Sequence, residues 1–141
     1  MSARWWYAPA AVATAAVVAL SLGDGVQLPA GWFAFAGLDK LQHGLAYFTL
    51  AWLWRWGFRQ NPPRVGGGGG HDPADRTRNP LRTRGGLWVA LFALGALLEV
   101  LQWGFYPARY FEVADMLANG AGAAVGLLAF TLLSHRKTSS L

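Results

Sequence analysis

Glu99, Gln102, Arg109, Asp115 and Asn119 punctuate a final third that is otherwise apolar enough to lie in hydrocarbon, and Asp39, Lys40, His43 and Tyr47 precede them upstream. A charged side chain near a bilayer centre costs roughly 2.5–3.5 kcal/mol on insertion scales, so such groups mark a site and need partners. Their types suggest anion recognition coupled to acid–base capacity. Lys40 and Arg109, an ammonium and a planar guanidinium, suit a phosphate or carboxylate. Glu99 is a candidate proton donor or acceptor, and His43 a candidate general base, metal ligand or hydrogen-bond partner. Asp115 completes the candidate catalytic groups. Asp39, Tyr47, Gln102 and Asn119 are candidate ligand contacts beside the two cations.

Each of these residues also has a structural reading. Gln102 and Asn119 can act as hydrogen-bonding glue between helices. Asp39 and Asp115 fall near helix N-termini, where a carboxylate caps free N–H groups and offsets the dipole. An Asp39–Arg109 or Asp115–Lys40 ion pair would account for the cations without any ligand. Asp39, His43, Glu99 and Asp115 could be gathered around a metal, but only one histidine lies among them and no ligand motif is present, so no metal is expected. No cofactor signature is present, and none is expected.

Composition dictates what must hold these groups. Of 141 residues 54% are hydrophobic and 13% charged, with eight Trp and no Cys, which is too apolar for an ordinary soluble domain. Without cysteine there are no disulfides, thiolate ligands or thiol catalysis. The sequence pI near 10.2 does not indicate nucleic acid, because the basic residues flank apolar runs and form no nucleic-acid motif. Since lipid satisfies no backbone group, the apolar runs must be helices of about 20 residues. Four are expected, at Trp5–Leu22, Leu41–Phe58, Leu87–Tyr106 and Val113–Leu133, giving an all-α transmembrane bundle and a single membrane domain over residues 1–141. The first run has an alternative as a signal peptide, with Arg4 before it and Ala19-Leu20-Ser21 as a weak cleavage site.

Residues 61–86 form a low-complexity loop with Pro62-Pro63, five consecutive glycines at Gly66–Gly70, and Arg64, Arg76, Arg78, Arg82 and Arg84. The glycines lack the Lys-Ser/Thr and strand-to-helix setting of a phosphate loop. Basic loops stay cytoplasmic, and threading four spans puts ten of the twelve basic residues on that side, leaving Lys40 and Arg109 opposite. The expectation is an N-in, C-in protein of the cytoplasmic membrane. Trp32, Phe33 and Phe35 would lie against the headgroups in the first outer loop.

Spacing then gathers the polar residues. Asp39, His43 and Tyr47 recur every four residues, Glu99 and Gln102 at three, and Asp115, Asn119, Gly122 and Gly126 at four, three and four, so each set lies on one helix face. At 1.5 Å per residue Glu99 and Asn119 both lie roughly 10 Å below the outer surface, with Tyr47 beside them. The stripes should face one another, with Gly122 and Gly126 as the close-packing positions.

Asp39-Lys40-Leu41-Gln42-His43 with Tyr47, then Glu99-x-x-Gln102, Pro107-x-Arg109, and Asp115-x-x-x-Asn119-x-x-Gly122-x-x-x-Gly126 together resemble the VanZ-like family of small bacterial membrane proteins. The resemblance covers roughly Asp39 to Gly126. It implies a four-helix membrane protein of the cell envelope whose namesake is associated with low-level teicoplanin resistance, and it marks these residues as signature positions. Gly44 departs from the aromatic or bulky residue common there and would widen the polar layer; the long glycine-rich loop is a second departure.

Three functions compete. The leading one is binding of an anionic lipid-linked or cell-wall headgroup at the outer mouth, held by Lys40 and Arg109. The second is a membrane hydrolase or transferase acting on a lipid phosphate, with His43 or Glu99 as base. The third is a ligand-free assembly or regulatory partner, a homo-oligomer among its forms. Nucleic acid is excluded as a partner.

Overall fold

The computed structural model describes residues 3–23, 38–61, 79–105 and 112–136. Four long helices, α1 (Ala8–Leu22), α2 (Leu38–Gln60), α3 (Arg84–Phe105) and α4 (Val113–Arg136), carry nearly all of it, with short 3₁₀ turns at Ala3–Tyr7 and Pro80–Arg82. No strand occurs among the described residues. Pro107, Arg109, Lys137, the Trp32–Phe35 segment and most of the glycine-rich loop lie outside them.

Three segments, Trp5–Leu22, Arg84–Phe105 and Val113–Ser134, are long and apolar enough to cross a membrane. The 23-residue α2 is long enough but less apolar, because Asp39, Lys40, Gln42, His43, Arg55 and Arg59 dilute it. It is the helix that carries the site. Its polar residues need neighbours, and the other three helices supply them.

Pairwise contacts fix the directions. Thr14 with Trp54, and Tyr7 with Phe58, set α1 antiparallel to α2. Gly44 with Gly122, Phe48 with Gly126, and Trp52 with Phe130 set α2 parallel to α4. Glu99 with Glu112 and Trp88 with Gly120 set α3 antiparallel to α4. One end of the bundle therefore collects Asp39, Lys40, His43, Glu99, Glu112 and Asp115. The other collects Arg55, Arg59, Arg82 and Arg84, with Arg82 held on the Asn61 carbonyl at 2.7 Å and its guanidinium 5.7 Å from the Phe58 ring centre.

The middle is dry. Leu50, Ala51 and Ala123 are fully buried, with Leu87, Leu91 and Leu127 around them. The exterior is apolar as well: Leu97, Trp103, Val125, Leu128 and Leu132 are each more than half exposed. Soluble proteins do not tolerate that much exposed apolar surface, whereas a lipid-facing bundle requires it.

In lipid the helices gain little from hydrophobic burial and must associate through close packing. The tightest approach is α2 on α4. A Cβ on Gly122 would run into the Gly44 carbonyl, and one on Gly126 would come within 2.6 Å of the Phe48 carbonyl oxygen. Gly44 therefore does not widen the polar layer as the sequence suggested; it is where the backbone of α4 comes against α2. Gly126 is buried and Gly122 half-buried, so this face serves the contact between α2 and α4 within the molecule.

Candidate functional site

At the acidic end, Lys40 lies at the centre of a carboxylate cluster. Its Nζ is 2.6 Å from Glu112 Oε2, 3.0 Å from Asp115 Oδ1 and 3.5 Å from Asp39 Oδ2. Glu112, and after it Asp115, hold the ammonium above the ordinary lysine range, against a smaller opposing cost of desolvation. Lys40 is thus committed to protein carboxylates, and the Asp115–Lys40 pair foreseen as an alternative forms. Arg109, the other cation assigned to this face, lies outside the described residues.

Asp39 and Asp115 both sit in the first turns of their helices, as the dipole favours. They differ sharply in exposure: the Asp39 side chain is 61% exposed and that of Asp115 10%. His43 lies between them, with Nε2 3.8 Å from Asp39 Oδ1 and 3.9 Å from Asp115 Oδ2. Its Nδ1 is 3.1 Å from Asn119 Oδ1, linking α2 to α4.

Asn119 and Tyr47 occupy the space left by Gly95, where a Cβ would come within 2.8 Å of Asn119 Nδ2 and 3.1 Å of the Tyr47 hydroxyl oxygen. That hydroxyl is buried and has no hydrogen-bond partner among the described residues. Glu99 is also buried, and Oε1 accepts the Glu112 N–H at 2.9 Å. Glu112 immediately precedes α4, so this carboxylate caps a helix on a neighbouring segment and faces its positive end. Gln102 Nε2 donates to the Ser21 carbonyl at 2.7 Å, satisfying one of the free carbonyls at the end of α1. Both side chains bind the bundle together at this end. No hydrogen bond or ion pair joins His43 to Glu99 among the described residues.

Several of these groups line a cavity of about 360 Å³ between α1, α2 and α3, to which α4 contributes Asn119. His43, Tyr47, Glu99, Gln102 and Asn119 supply polar atoms, and Val17, Leu20 and Leu98 an apolar wall. Asp39 stands at its polar edge; Lys40 and Asp115 lie outside the lining. Asp39, His43 and Asp115 each offer one ligand atom within 4.8 Å of the others; Glu99 is not part of that group.

Sequence reasoning missed Glu112 and Gly95. Glu112 stands three residues before Asp115 at the start of an apolar run, a helix-start pattern that could have marked it. Gly95 continues the Glu99–Gln102 stripe one turn back, a signal available in the spacing.

The family model described as VanZ/LLP1 matches residues 5–134, nearly the whole chain. No curated protein and no solved structure matches it.

Proposed function

The chain belongs to the VanZ/LLP1 family, and on that premise we propose that it is a cell-envelope protein of the bacterial inner membrane that binds the headgroup of a lipid or lipid-linked cell-wall precursor. The observation that carries this reading is the cavity, whose polar floor and apolar wall match a headgroup joined to a hydrocarbon chain. The separation of charge between the ends supports a cytoplasmic basic end, cytoplasmic termini and an outward-facing cavity. Any anionic group on the ligand would rely chiefly on Arg109, because Lys40 is already engaged by Glu112 and Asp115. A contribution to glycopeptide resistance would follow if the headgroup belongs to the precursor that such drugs recognise.

Native mass spectrometry of protein released from its own membranes tests the reading. The wild type is expected to retain a specific lipid. That lipid should be lost in Arg109→Gln and in Gln42→Trp, whose exposed position on the cavity rim admits a larger side chain. A bare wild type, or a lipid retained equally by both variants, would overturn it.

One observation favours the enzyme reading as a second. His43, on the cavity wall, is oriented by Asn119 and flanked by the carboxylates of Asp39 and Asp115, an arrangement that suits a general base. Turnover of a bound lipid phosphate that disappears in His43→Gln while binding persists would establish it.

A further inference from the structure

We propose that Asp39, His43 and Asp115 form the protein part of a divalent-cation site at the mouth of the cavity, of the open three-ligand kind that suits Zn²⁺ or Mn²⁺. The three donors come from the first two turns of one helix and the first turn of its parallel neighbour and converge within 4.8 Å. The separations of 3.8 and 3.9 Å from His43 Nε2 to the two carboxylates are too long for direct hydrogen bonds. They are shorter than the roughly 4.4 Å that two donors on opposite sides of one ion bonded at about 2.2 Å would span, so a small inward movement of the exposed Asp39 carboxylate brings all three onto a shared ion.

The imidazole is prepared for this role. An amide oxygen only accepts, so the Asn119 Oδ1 contact requires the hydrogen on His43 Nδ1. In the neutral ring this leaves the Nε2 lone pair aimed at the carboxylates. Lys40 engages the outer oxygens, Asp39 Oδ2 and Asp115 Oδ1, so Nε2, Asp39 Oδ1 and Asp115 Oδ2 are left as three electron-rich atoms facing one another, and a metal-bound histidine typically has its other nitrogen held in this way.

Charge points the same way: around Lys40 itself three carboxylates, Asp39, Glu112 and Asp115, face one ammonium, so this cluster is net negative and suits a further cation. An independent observation concerns Tyr47, which is only 2% exposed. Its hydroxyl, on the wall of the cavity that Asp39 and His43 also line, has no partner among the described residues. A buried polar group without a partner calls for an occupant, and an ion's remaining ligands, water or a headgroup oxygen, would extend toward it. The proposal stands whether or not the cavity takes a lipid.

The test uses the full chain without an affinity histidine tag, stripped with chelator and titrated with Zn²⁺ or Mn²⁺ alone. One ion per chain is expected, and the tighter of the two identifies the resident class. Affinity should fall at least tenfold in His43→Ala and in Asp115→Asn and stay unchanged in His135→Ala. Lys40→Met should bind the ion more tightly, since it removes a competing cation. Pulsed electron spin resonance of the wild type loaded with Mn²⁺, or with Cu²⁺ in place of Zn²⁺, should detect one coordinated imidazole nitrogen and does not depend on any variant folding. Absence of stoichiometric binding, affinity indifferent to His43→Ala, or no imidazole coupling would each overturn the site.

Discussion

Glu99 illustrates how one side chain can look catalytic in the sequence and still have a definite structural task. A buried carboxylate in a membrane helix is costly, and here the cost is offset by the Glu112 N–H and by the positive end of α4. The amide oxygen of a glutamine can accept the same hydrogen bond, whereas alanine leaves the N–H without its partner. Glu99→Gln should therefore melt close to the wild type in detergent, and Glu99→Ala should lose about 1–2 kcal/mol, the scale of a lost helix cap. Equal losses in both would mean that the charge, and not the hydrogen bond, supports the fold. Lys40 makes a separate prediction through its raised pKa. Stabilisation from a lysine raised in the folded state is fully present below its ordinary value of 10.5 and declines only as pH climbs through the raised one. The difference in melting temperature between the wild type and Lys40→Met should accordingly stay flat from neutral to mildly alkaline pH.

Between elements, the glycines decide which helices touch. The Gly44–Gly122 approach is backbone against backbone, so a methyl group there has no flexible side chain to displace. Gly122→Ala should cost about 3 kcal/mol, the upper range for overpacking, by forcing α2 and α4 apart. Gly104→Ala, where an added Cβ meets nothing within 4 Å, should be neutral or slightly stabilising. Thermal or steric-trap unfolding of the two variants side by side would check this, and similar stabilities would remove the glycine contact as an organising feature. The pair also marks how far the sequence could be read. The length of the apolar runs identified four helices, and spacing put Gly122 and Gly126 on the face that carries Asp115 and Asn119. It could not say which neighbour that face meets, because a helical stripe records rotation about its own axis and not the position of the next helix. Gly44 was misread for that reason. Depth put Tyr47, Glu99 and Asn119 in one layer, but the His43–Asn119 contact depends on the closeness that Gly44 allows, and Glu112 gains its importance only once Lys40 and Glu99 are seen on either side of it.

On the scale of the whole molecule, the apolar exterior, the acidic end and the basic end together make a strongly polarised object. Arginines on one side and a cluster of carboxylates around Lys40 on the other make the two ends unlike, and under the proposed reading the positive-inside tendency would turn the cavity outward. The chain has no cysteine, so single replacements report cleanly on that direction. Glu112→Cys, at the exposed mouth, should react with a membrane-impermeant maleimide applied to spheroplasts. Thr83→Cys, exposed beside the arginine cluster, should react only after the membrane is permeabilised. The opposite pattern would turn the cavity toward the cytoplasm. Its polar floor would then meet lipids and precursors on the side where they are made, and the drugs that act on finished precursors outside the cell could no longer compete for the same headgroup.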